Sequence, residues 1–256
     1  MYNDIIELLD FYQTPIGHAV QRITRRYIRT AWPNVQGMHV AGVGYATPFL
    51  GPFLDEAKQV VAVMPAQQGV TRWPIKQGTN KGNLVVLAGE GELPLSDVSI
   101  DRILLIHSVE CSEQLQRLLR EIWRVMTPEG RALVVVPNRR GIWARLDSSP
   151  FGHGQPYTPT QVSRLLDENL LVPENSFAGL FVPPTNSRMI IASAPAIEKV
   201  GTQWFRKIGG LLFVEVRKLI YASSIGRKKE KIKPLYTEIA SGTKREDTFH
   251  TDSHYL

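Results

Sequence analysis

Five short apolar runs, at 38–43, 60–64, 84–88, 102–107 and 131–137, alternate with helical stretches, the clearest of them at 112–126. Strands that alternate with helices imply crossover units, and crossover units build a mostly parallel sheet with helices on both faces. Two further strands are expected at 176–182 and 188–193, after a helix at 158–169. Thr158-Pro159 opens that helix, because proline suits a first helical turn. The pattern predicts an α/β fold: seven strands in a doubly wound sheet closed by a final hairpin.

The ends of the chain read differently. Residues 1–36 predict a helical cover in two pieces. Ile5, Ile6, Leu8 and Leu9 cluster in the first, and Val20, Ile23, Tyr27 and Ile28 recur at helical spacing in the second. Residues 37–195 would then form the main domain, 196–226 an apolar, helical extension, and 227–256 a polar tail expected to be disordered. Gly209-Gly210 argues against one continuous helix in the extension. Of the net charge of +6, Arg227–Lys233 (RKKEKIK) supplies +4, five basic residues against one acidic. The remainder is only mildly positive, which argues against a dedicated nucleic-acid surface. With one cysteine, Cys111, no internal disulfide can form, and no metal-ligand spacing is seen. The acids Asp4, Glu7 and Asp10 are unlike a signal peptide's start, and no apolar run approaches a membrane span. A soluble, cytoplasmic protein is expected.

Where a ligand would bind is suggested by Gly37–Leu54, GMHVAGVGYATPFLGPFL. An apolar strand enters a tight turn carrying Gly42, Gly44 and Ala46, and the run beyond it predicts a helix. Small residues let backbone approach a ligand, and a helix N-terminus offers it free N–H groups.

A second block is more specific. Residues 93–138 carry Leu93-Pro94, then Ser99-Ile100-Asp101 entering a strand, and His107-Ser108-Val109-Glu110 at its end. Leu118-Leu119-Arg120-Glu121, Arg124-Val125-Met126 and Pro128-Glu129-Gly130-Arg131 follow in order. This block resembles the type 11 subgroup of the class I S-adenosylmethionine-dependent methyltransferases, and the resemblance extends over roughly 37–193. It implies a Rossmann-like sheet with S-adenosylmethionine on the rim formed by the strands' carboxyl ends. The residues it assigns to the cofactor are Gly42, Gly44, Ala46, Met64, Gln67, Gly89, Glu90 and His107. Asp101, at the other end of its strand, would face away from any ligand. The family's acids two residues before the first glycine and at the end of the second strand are replaced by Val40 and Met64. Gln67 and Gln68 are the expected substitutes at the ribose, and Glu90 or Glu92 near the adenine.

Methyl transfer needs alignment of the nucleophile and, for an acceptor that keeps its proton, a base. His107, His153 and Tyr157 are the candidate bases. Glu110 is expected to help start the following helix, and Trp143 to pack or to wall an acceptor pocket. No acceptor code is present, so a small-molecule acceptor is expected. The rival expectation is a non-catalytic binding or regulatory protein. It would dock a partner, or a second copy, through 204–222 and the N-terminal helices. The resemblance to bacterial members encoded near glyoxalase II hydrolases suggests such a hydrolase as that partner.

Overall fold

A computed structural model describes residues 2, 4–74 and 82–220. The expected tail at 227–256 lies outside the described residues. Helices α1 (Ile5–Gln13) and α2 (Pro15–Ala31) form the N-terminal cover. Asp4 caps the first and Thr14 the second, and Pro15 occupies the position where a missing N–H costs nothing. The strands that follow are β1 (His39–Gly44), β2 (Gln59–Pro65), β3 (Val85–Ala88), β4 (Ile100–Ile106) and β5 (Met126–Pro137). Helix α3 (Thr47–Leu50) follows β1 and α4 (Leu115–Val125) follows β4. Then come α5 (Pro159–Glu168), β6 (Leu171–Gly179), α6 (Arg188–Ala192), α7 (Ala194–Trp204) and β7 (Leu211–Lys218). The sheet order is β3-β2-β1-β4-β5-β7-β6. The first five strands are parallel, and β7 runs antiparallel to both β5 and β6. Alternate residues of each strand feed two cores. Leu104, Ile106, Leu133 and Val135 meet α1 and α2, while Ile103, Leu105, Val134 and Val136 meet α4 and α5.

Three expectations need correction. Residues 188–192 are helical, and α6 buries none of its residues. A five-residue apolar run cannot be assigned by periodicity, and Met189 at 76% exposure could not belong to an inner strand. The seventh strand comes instead from 211–218, inside the stretch expected to be a helical extension. There the β-prone sequence LLFVEV follows Gly209-Gly210, and the absence of a Cβ on Gly209 lets it pass the backbone of Gly179. Finally, the helix after the glycine turn is a single turn, because Gly51-Pro52 converts the next residues to a 3₁₀ turn.

Candidate functional site

The carboxyl ends of β1, β2 and β4 meet at one rim, as the parallel order requires. Gly44 ends β1 with φ +88°, and a side chain there would overlap the carbonyl oxygen of Ile106 and come within 2.8 Å of Ser108 Cβ. A Cβ on Gly42 would lie 2.5 Å from Ala46 Cβ and 2.7 Å from Leu50 Cδ1. Both glycines are therefore needed for the chain's own packing.

Just past β4, His107 takes φ +52°, a left-handed conformation that turns its ring off the strand axis and into the rim. The ring is wholly buried. Nε2 lies 2.7 Å from the Tyr12 hydroxyl, the ring centroid lies 4.8 Å from that of Phe151, and Nδ1 faces Glu110 Oε1 at 3.6 Å. Burial lowers the His107 pKa from 6.5 to about 3, so the imidazole is neutral and its approach to Glu110 is not an ion pair. Burial raises Glu110 from 4.5 to about 7. The backbone N–H groups of Glu110, Ser108 and His107 moderate that rise without reaching hydrogen-bond geometry. Across the end of β1, the Gln68 side-chain amide donates to the His107 carbonyl (3.2 Å) and the Gln68 main-chain carbonyl accepts from Ile5 N–H (2.9 Å), so the N-terminal segment is tied over the rim. Tyr45 and Phe49 close the other side against Tyr12.

Among the described residues, His107 Nδ1, Ser108 Oγ, Gln68 Oε1 and both Glu110 oxygens are buried without a hydrogen-bond partner. Buried polar groups normally find partners, so orphans concentrated at one rim mark a place built for polar contacts. Tyr2, over the same rim, has its hydroxyl pKa raised, first by burial and then by Glu90, Cys111 and Glu110.

The other expected site residues lie apart or serve different ends. Met64 is fully buried in the core under the N-terminal helices. Gln67 is exposed, and Gln68 is the glutamine turned inward. Gly89 is exposed, with nothing within 4 Å of where a Cβ would stand. Glu90 accepts from Ser112 Oγ and Gln114 N–H, each at 2.7 Å, and so supports the start of α4, the role expected of Glu110. Glu110 instead sits buried beside His107. His153 is exposed, although its loop is pinned by Gln155 N–H donating to the Glu110 carbonyl (2.8 Å). Tyr157 is buried in the sheet's second core, and its hydroxyl pKa is raised by burial and by the nearby Glu110 and Cys111. Trp143 is buried and donates to the Val182 carbonyl (2.8 Å). Asp101, at the opposite end of β4, accepts from His39 N–H (2.9 Å). A cleft of about 390 Å³ lies at that end too, among His39, Gln59, Ser96 and Ile100. The expectation missed Tyr12 and Phe151. Three aromatics within the first 12 residues, Tyr2, Phe11 and Tyr12, were the available signal, but aromatics on an apolar helix face ordinarily mean packing.

Residues 40–134 match the family model described as a methyltransferase domain. The ubiquinone/menaquinone biosynthesis C-methyltransferase UbiE of Rubrivivax gelatinosus is 27% identical over 123 residues, 47% of each chain. This chain thus aligns with about half the length of that curated relative. An S-adenosylmethionine-dependent methyltransferase from Mesorhizobium loti superposes with a TM-score of 0.55 at 15% identity, covering 75% of this chain and 96% of the other. One from Archaeoglobus fulgidus gives 0.51 at 19% identity, covering 82% and 96%. At those identities the superpositions establish the fold alone.

Proposed function

We propose that this chain, whose residues 40–134 match a methyltransferase-domain model, is a class I S-adenosylmethionine-dependent methyltransferase that transfers a methyl group to a small-molecule acceptor at the His107 rim. The observation that carries this is the set of buried, unpartnered polar atoms on Gln68, His107, Ser108 and Glu110. The rim is closed as it stands, with Tyr12, Tyr45, His107 and Ser108 all nearly inaccessible. Displacement of the segment holding Tyr2 and Tyr12 turns these polar atoms toward hydroxyl, ammonium and carboxylate groups of a cofactor. S-adenosylmethionine supplies the activated methyl group. The chain supplies alignment, worth about 7–11 kcal/mol of the barrier, and exclusion of water by the Phe151 ring beside His107. For a protonated acceptor, Glu110 at about 7 is better matched to neutral pH than His107 at about 3, and His107 holds its position beside that carboxyl. Calorimetric titration of the full chain with S-adenosylmethionine and its demethylated product tests the reading. Measurable heat is expected, and neither heat nor thermal shift at millimolar ligand overturns it.

A second reading, a methyltransferase-like binding protein without catalysis, is favoured by one feature. Val40 and Met64, where the family's acids would stand, are buried and apolar, so both cofactor contacts are missing. Of the docking stretch expected at 204–222, Trp204–Ile208 and Ile220 are exposed, 211–218 lies within the sheet, and 221–222 lie outside the described residues. Failure of the titration, together with retention of a glyoxalase II hydrolase on the immobilised chain, would establish this reading.

A further inference from the structure

Helix α7 ends in an unusual surface. From Gln203 to Ile208 every residue is exposed: Trp204 at 73%, Phe205 at 53% and Ile208 at 52%. Phe205 and Ile208, with Val200, rim an apolar groove of about 350 Å³ floored by Phe181 and Ile197, and Trp204 stands exposed beside them in the sequence. Single exposed apolar residues are ordinary, whereas a contiguous set on one turn marks a contact surface. The neighbouring loop continues it. Asn138 Nδ2 donates to the carbonyls of Lys207 (3.1 Å) and Gly209 (2.7 Å), and a Cβ on Gly141 would lie 2.8 Å from the Gly209 carbonyl oxygen. That loop presents Ile142 and Leu146, also exposed.

The exposed charges around this apolar face are positive but for one acid, Asp147, which follows Leu146. Between 181 and 210 the exposed charges are Arg188, Lys199, Arg206 and Lys207. The sole acid there, Glu198, is buried and accepts from Tyr27 Oη (2.7 Å) and Val182 N–H (2.9 Å). Arg139, Arg140 and Arg145 add exposed cations on the adjoining loop. We infer that the turn at 204–208 and the loop at 139–146 form a peripheral binding face for an anionic lipid surface. Trp204, Phe205 and Ile208 enter the headgroup boundary, and the arginines and lysines meet lipid phosphates. A second copy of the chain is the poorer occupant. A two-fold contact would set this cationic ring against itself, whereas a bilayer offers both hydrocarbon and the complementary charge. Among the described residues no helix is long and apolar enough to cross a membrane, so the contact is superficial. The face adjoins Gly210 and Trp143, and the Trp143–Phe151 ring contact (5.7 Å) leads from it toward His107.

The test is co-flotation of the full chain with vesicles of phosphatidylcholine and phosphatidylglycerol in equal parts, against phosphatidylcholine alone. Binding to the anionic vesicles is expected. It should fall about tenfold in the Trp204→Ser, Phe205→Ser double variant and about tenfold in Arg206→Glu, Lys207→Glu. Unchanged thermal unfolding of both variants confirms that the fold is intact. Absence of wild-type binding overturns the inference, as does binding that both variants retain in full, which would place the contact on the basic 227–233 segment. A concentration-dependent dimer lost in Trp204→Ser, without vesicle binding, overturns it in favour of a second copy.

Discussion

The Tyr12 hydroxyl lies 2.7 Å from Nε2 of His107, joining α1 to the carboxyl end of β4 across 95 positions of sequence. Both groups are buried and neutral: burial lowers the His107 pKa to about 3 and raises that of Tyr12 well above 10. The contact is a polar fastening on the buried face of α1, and it sits over the atoms a cofactor would need.

Tyr12→Phe removes that fastening and leaves a buried ring nitrogen unpaired, a cost of about 1–3 kcal/mol to the closed form. Urea unfolding should show the loss. Because the same change favours the open form, apparent affinity for S-adenosylmethionine should rise about tenfold. A variant that is destabilised yet binds the cofactor no more tightly would mean that α1 is simply part of the core.

The two rim glycine positions separate packing from binding. Gly44→Ala combines φ +88° with overlap at Ile106 and should cost about 2–4 kcal/mol, visible as a large fall in the unfolding midpoint. Gly89→Ala meets nothing within 4 Å and should change stability by no more than about 0.5 kcal/mol. Gly89 is therefore the position at which a side chain can test ligand binding without disturbing the fold. Equal destabilisation by the two substitutions would contradict this assignment.

Glu90→Ala should lower the melting temperature by roughly 2–8 °C. Loss of the 2.7 Å bonds to Ser112 Oγ and Gln114 N–H is worth about 1–2 kcal/mol. Amide exchange should quicken at Glu113 and Gln114 first. An unchanged melting temperature would return Glu90 to the candidates for direct ligand contact.

Glu110 and His107 make opposite contributions to stability as pH changes. Glu110 is raised from 4.5 to about 7, so its contribution is complete below pH 4.5 and is lost as pH rises toward 7, about 3 kcal/mol in all. His107 is lowered from 6.5 to about 3, so the unfolded chain takes up its proton first, and stability is lost as pH falls below 6.5. Between roughly pH 4.5 and 6.5 the two slopes cancel. In Glu110→Gln the histidine slope stands alone, and the difference in unfolding free energy between wild type and variant should vary across that window. A constant difference would show that Glu110 does not titrate as a buried acid.

Much of the architecture was legible because it is local. The parallel strands follow from apolar runs separated by helical spacing, and α5 from Thr158-Pro159; the structure adds the capping box that Gln161 closes with Thr158. The seventh strand was not legible. LLFVEVRK follows a glycine pair and precedes a basic tail, and only its pairing with both β5 and β6 makes it a strand. The LVP start of β6 was missed for the same reason, since its partner lies in β7.

The candidate site divides along the same line. From the sequence alone come the rim itself, with Gly44 and His107 at adjacent strand ends, and the absence of acids at Val40 and Met64. Those follow from strand order and residue identity. Only the tertiary structure brings Tyr12 onto His107, turns Gln68 rather than Gln67 inward, assigns Glu90 to the start of α4 and buries Glu110 until its carboxyl titrates near 7. Periodicity specifies which face of an element is apolar. Which buried polar atom meets which, and how far burial shifts its proton equilibrium, depends on contacts between segments distant in sequence.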